Sequence, residues 1–129
     1  MNIDELNVMT DDELRMKVAE LLGWTNIRII GLNKIPKGTP PEHKETDVWV
    51  IPCYPKYIAM AWELVDIMQT IPEGGGPRWE IEISSDVGDW CCTVAYEAWI
   101  GEVYEVHADS AARAITIAFI LAIGDDSDE

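Results

Sequence analysis

Residues 110–124 constrain the fold of this chain more than any other stretch. Between Ser110 and Gly124 only Arg113 and Thr116 are strongly polar. Asp109 or Ser110 supplies an N-cap and Gly124 a stop, so the spacing predicts a helix over this range. A helix that is apolar on nearly every side must be covered on more than one side. The run Ala114 to Ile123, interrupted by Thr116, falls short of the ~18 residues that a bilayer span needs. The cover must therefore be protein: a second helix laid over it, or a second subunit in a homodimer through residues 110–123. With 129 residues, 48% of them hydrophobic, one domain with a real core is expected. Residues 1–9 and the acidic tail 125–129 flank it.

Punctuation and periodicity place the other elements. Thr10-Asp11-Asp12-Glu13 reads as a capping box, followed by Leu14, Val18, Leu21 and Leu22 at helical spacing and by Gly23 as a stop. Asn26–Gly31 is a short strand, and Asn33–Thr46, with Pro36, Pro40 and Pro41, is a loop. Asp47–Ile51 is a second strand. Pro55 suits the first turn of a helix that carries Ile58, Ala61, Trp62, Val65 and Met68 on one face. After the glycine loop 73–77 the pattern changes to alternation. Trp79, Ile81 and Ile83 face one way while Arg78, Glu80, Glu82 and Ser84 face the other. A turn at 86–89 and strands from Trp90 and from about Glu102 complete an antiparallel meander.

Several of these segments carry a resemblance. Val18-Ala19-Glu20-Leu21-Leu22-Gly23-Trp24 ends a helix in Gly-Trp, and Ala61-Trp62-Glu63 sits on the central helix. Val106-His107-Ala108-Asp109-Ser110 leads into Ala111-Ala112-Arg113-Ala114-Ile115. Over roughly residues 10–124 the chain resembles the phage ABA sandwich domain family. It departs from that pattern in its proline-rich loop and in Ala112, where members often have proline. The resemblance implies a sheet layered by helices, no catalytic residues and no single activity. The expectation is an α+β fold: an antiparallel sheet of about four to five strands layered with three helices, an α/β/α-type sandwich.

Charge is the main functional signal. The formal net charge is -15, and it is unevenly distributed. Residues 57–129 hold 15 acids against Arg78 and Arg113, whereas residues 1–56 hold 9 acids against 7 basic residues. Solubility needs a net charge of only about 2–8 in magnitude. The absence of a basic stripe argues against direct nucleic-acid binding. Glu80 and Glu82, about 6.8 Å apart along one strand face, instead resemble two axial repeats of a phosphate backbone. With Glu102 and Glu105 they are the expected partner-binding acids, and Trp99, in the connection 98–101, is the expected apolar anchor. The other tryptophans are expected in the core.

Catalytic and metal signals are missing from the local sequence. There is no G-x-S-x-G elbow and no Cys-His motif with an orienting group, so no catalytic residue and no enzyme is expected. Gly74-Gly75-Gly76 lacks the lysine and hydroxyl of a phosphate loop. His43, His107, Cys53, Cys91 and Cys92 show no C-x-x-C or H-x-x-x-H spacing, so no metal and no cofactor is expected. An odd cysteine count and the acidic start Met1–Glu5, unlike a signal peptide, point to the host cell cytoplasm.

Three functions follow as expectations. The first is an acidic, DNA-mimic-like inhibitor that docks on a basic host protein, such as a nucleic-acid-binding defence factor of the CRISPR effector type. The second is a binder that sequesters a small nucleotide-type ligand, with Arg28, Arg78 or Arg113 meeting the phosphates. The third is an oligomeric structural or regulatory subunit.

Overall fold

The computed structural model describes residues 3–30, 34–44, 46–69, 79–96 and 103–124. Among these residues the fold is α+β, with four helices and two three-stranded antiparallel sheets. The helices are α1 (Ile3–Asn7), α2 (Asp11–Leu21), α3 (Ile58–Gln69) and α4 (Ala111–Gly124). The first sheet joins β1 (Thr25–Ile30), β2 (Ile35–Thr39) and β3 (Trp49–Val50) in sequence order. The second joins β4 (Trp79–Asp86), β5 (Asp89–Tyr96) and β6 (Val103–Ala108), also in sequence order. The strand and helix counts thus differ from the expected single sheet of four to five strands with three helices.

Helix α4 is the centre of the core. Ser110 caps it: its Oγ accepts from Arg113 N at 3.2 Å. Ala114 through Ala122 are buried in an unbroken run, with Phe119 the largest fully buried side chain. The cover comes from the chain itself, because α4 packs on β5 and β6 and also on α1, α2 and α3. Burial of this helix therefore requires no second subunit, and the homodimer through residues 110–123 loses its physical motive. Its buried hydroxyl is also satisfied locally, since Thr116 Oγ1 donates to Ala112 O at 2.8 Å.

The N-terminal segment is tied to this helix. Leu6 on α1 is fully buried. The Arg113 guanidinium donates through Nη1 to Asp11 at 2.8 Å and through Nη2 to the carbonyls of Asn7 and Met9. One cation thus holds the chain between α1 and α2 against the start of α4. The capping box at α2 forms as expected: Glu13 N donates to Thr10 Oγ1 at 3.2 Å and Thr10 N to Glu13 Oε1 at 3.1 Å. Gly23 then leaves the helix at a φ of 93°, a left-handed value suited to glycine.

Four expectations need correction. The stretch read as a proline-rich loop contains β2, the central strand of its sheet. Pro36 is tolerated near the strand's start, where its carbonyl accepts from Ile51 N at 3.1 Å. Gly38 follows, and a Cβ there would press on Thr25 O at 3.1 Å and on the Trp24 ring at 3.3 Å. Pro55 lies in the turn before α3, which begins only at Ile58. The buried stripe of α3 is Ala61, Leu64, Val65 and Met68, so Ile58 and Trp62 point outward. Trp49, Trp62 and Trp90 are all exposed rather than core residues.

Replacing Arg113 with alanine strips three acceptors of a charged donor. The Arg113→Ala variant is expected to lose about 2 kcal/mol of stability, read from the midpoint of urea unfolding monitored by circular dichroism.

Candidate functional site

The β4–β5–β6 meander separates its two faces by the pleat. Cys92, Val94 and Val106 are fully buried against α4, and Ile81 and Ile83 pack beside them. Glu80, Glu82, Ser84, Glu105 and His107 occupy the opposite face and are exposed. Among the described residues this outer face has no helix over it. The β4–β5 hairpin fixes its register with the turn Val87-Gly88, where Gly88 takes a φ of 72°.

Register brings the outer side chains into rows. Glu82 pairs with Thr93, and Thr93 pairs with Glu105. Ser84 pairs with Cys91, and Cys91 with His107. Asp86 faces Asp89 across the hairpin. The central strand thus sets the neutral Thr93 between two acids, which keeps Glu82 and Glu105 two strand spacings, about 10 Å, apart. That separation reaches the Debye length of about 8 Å at physiological salt, so their repulsion is largely screened. Of the expected partner-binding residues, the structure brings Glu80, Glu82 and Glu105 onto one face. Glu102 and Trp99 lie outside the described residues.

The two sheets also divide the charge. Residues 79–108 contain no lysine or arginine, whereas β1 and β2 and their connections carry Arg28, Lys34 and Lys37. Among the described residues, the acids on the outer face therefore have no cationic side chain on their own sheet except the imidazole of His107.

His107 links the rows. Its Nδ1 donates to Asp89 Oδ2 at 2.7 Å, and its Nε2 lies 3.6 Å from Glu105 Oε2. The Cys91 thiol points at Glu105 Oε1 at 3.8 Å and lies 3.7 Å from Thr93 Oγ1. The hydrogen bond to Asp89, with smaller help from the Asp89 and Glu105 charges, raises the His107 pKa above its ordinary 6.5. The charged imidazole also relieves the Asp86–Asp89 opposition at the hairpin end.

Local spacing does not reveal this cluster. Cys91 is 16 positions from His107 in the chain, and only the β5–β6 register makes them neighbours. The usable signal is the alternation itself, which places Cys91, Glu105 and His107 on the outer face once strand pairing is known. Cys91 and Cys92 accordingly differ. Burial pushes the Cys92 thiol up to about 12, with a smaller push from Cys91, and burial also raises Cys53.

The second expected function finds less support. Arg113 is occupied by Asp11 and two carbonyls, and Arg78 lies outside the described residues. A cleft of about 640 Å³ beside α2 contains Arg15, Lys56 and Tyr57, together with Asp11 and Asp12. Arg15 is tied there to Ile51 O and to Asp12, and the two aspartates oppose a phosphate. Arg28 is exposed on β1.

Comparison with protein-family models, with curated proteins and with solved structures finds no significant match. No helix among the described residues is long and apolar enough to cross a membrane.

Two measurements check this geometry. Iodoacetamide on the folded, metal-free protein at about pH 8 should label Cys91 at least about 10-fold faster than Cys53 or Cys92, read by peptide mass spectrometry. In an NMR titration the His107 midpoint should lie above 6.5, and Asp89→Asn should lower it. The sign follows for stability: the His107 contribution is complete below about 6.5 and fades as pH rises through the folded value. Unfolding curves across that window should fall with pH more steeply for the wild type than for His107→Gln.

Proposed function

We propose that this is a non-enzymatic, phage-type accessory protein of the ABA sandwich kind, working in the host cytoplasm by docking on a basic protein. The target class is a nucleic-acid-binding host protein, including defence factors of the CRISPR effector type, whose phosphate-binding surface is occluded. The observation that carries this reading is the outer face of the β4–β6 sheet. It gathers Glu80, Glu82, Asp86, Asp89 and Glu105 on a rigid support with no lysine or arginine in residues 79–108.

The physics of such a face suits rapid capture of a cationic surface. Carboxylates of one sign on a low-dielectric support focus the field and raise association rates by about 10–10³-fold. Glu80 and Glu82 on β4 and Glu105 on β6 stand on either side of the neutral Thr93 and present carboxylates to cations on both sides of the central strand. Specificity would come from the neutral strip and its neighbours, because charge supplies rate and register more than affinity.

The test compares the wild type with Glu80→Gln/Glu82→Gln/Glu105→Gln, which leaves the core untouched. At low ionic strength, immobilised wild type should retain a basic nucleic-acid-binding protein from host lysate. Added DNA should compete with that protein for it. The triple variant should associate with the purified partner at least about 10-fold more slowly. Retention of no basic protein, or an association rate unchanged by the three substitutions, overturns the reading.

A further inference from the structure

We propose that Cys91, Glu105 and His107 form a transition-metal site on the outer sheet face, with zinc(II) the ion that fits the donor set. The site goes beyond the docking function and does not depend on it. The three side chains offer one sulfur, one carboxylate oxygen and one imidazole nitrogen, and these atoms all lie within 4.8 Å of one another. A tetrahedral zinc ion, with Zn–S of about 2.3 Å and Zn–N and Zn–O of about 2.1 Å, has ligand–ligand edges of about 3.4–3.6 Å. His107 Nε2 lies 3.6 Å from Glu105 Oε2, and Cys91 Sγ lies 3.8 Å from Glu105 Oε1. Each separation is near a ligand–ligand edge but runs through a different carboxylate oxygen, so Glu105 turns to present one oxygen to an ion shared with Cys91 and His107. Turning the exposed Glu105 side chain and the Cys91 thiol closes the set around the held His107 ring.

The surroundings match what a metal-ligating histidine needs. Asp89 accepts the Nδ1 proton at 2.7 Å, which fixes the ring and leaves Nε2 as the ligating nitrogen. The Thr93 hydroxyl, 3.7 Å from the sulfur, is placed to donate to a thiolate. Cys91 and His107 are direct cross-strand partners and Glu105 lies two residues from His107, so all three donors stand on the same face of a paired sheet. Such a support holds donors more firmly than a loop does.

Donor chemistry selects the ion. A thiolate with an imidazole favours zinc over magnesium or calcium, which take all-oxygen sites. This separates the cluster from the other acids of the face, which provide oxygen alone. Binding forms Zn–S, Zn–N and Zn–O bonds and releases the thiol proton to solvent. Three protein ligands leave the fourth position to water or to a donor from a docked partner. The bound ion would place positive charge at one edge of the acidic face and lock β5 to β6.

Cobalt(II) and zinc(II), added to the purified full chain in a non-thiol reductant, test the site without any partner, so its failure is separate from failure of the docking reading. The expected result is one cobalt per chain, with a sulfur-to-cobalt charge-transfer absorption and tetrahedral visible bands that zinc displaces. Cys91→Ser and His107→Gln should abolish both features, with folding verified by circular dichroism. Asp89→Asn should weaken binding by about 10-fold or more, and Glu80→Gln/Glu82→Gln should leave it unchanged. Absence of the charge-transfer band overturns the proposal. So does metal affinity equal in wild type, Cys91→Ser and His107→Gln, which would mean binding by scattered carboxylates.

Discussion

Burial of α4 is the constraint on which the rest of the structure depends. Each large apolar side chain withdrawn from water contributes about 1.5–3 kcal/mol, and this helix withdraws them on every side. It can do so only with a sheet on one flank and helices on the others. That requirement places β5 and β6 against it, brings α2 and α3 across it, and draws in α1 through Leu6. Arg113 is the one charged residue the helix carries, and it serves the same arrangement by holding Asn7, Met9 and Asp11.

The outer face of the sheet is a consequence of that packing. Because strand side chains alternate, pinning Cys92, Val94 and Val106 to α4 forces Cys91, Thr93, Glu105 and His107 outward. A register slip of one residue would bury Glu82 and Glu105, which the core cannot accept without paired charges. The strong demand for one register is therefore what makes the acidic face and the Cys91–Glu105–His107 cluster reproducible in space. The core and the face are two readings of one pleat.

Much of this fold is legible in short stretches of sequence. The capping box at Thr10–Glu13, the serine cap of α4 and the alternation from Glu80 to Ser84 each act over a few residues, where local hydrogen bonding and periodicity decide the outcome. Strand β2 escapes such a reading because prolines look like breaks, although Pro36 sits where only its carbonyl is used. Helix α1 has five residues, too few for a period to show, and is held by tertiary contacts. Spacing alone turns Trp62 inward, because the helical period of α3 admits two neighbouring stripes. Packing against α4 and β4 chooses the one through Leu64.

The sequence by itself determined the nature of most elements, the apolar helix that had to be enclosed, and the separation of Glu80 and Glu82 from Ile81 and Ile83. These depend on interactions between residues a few positions apart, or on composition. Only the tertiary structure decided that the chain encloses α4 within itself, that its strands form two separate sheets, and that Cys91 meets Glu105 and His107. Those outcomes depend on strand register and helix packing across long sequence separations, where contacts reflect the whole balance of burial rather than any local spacing.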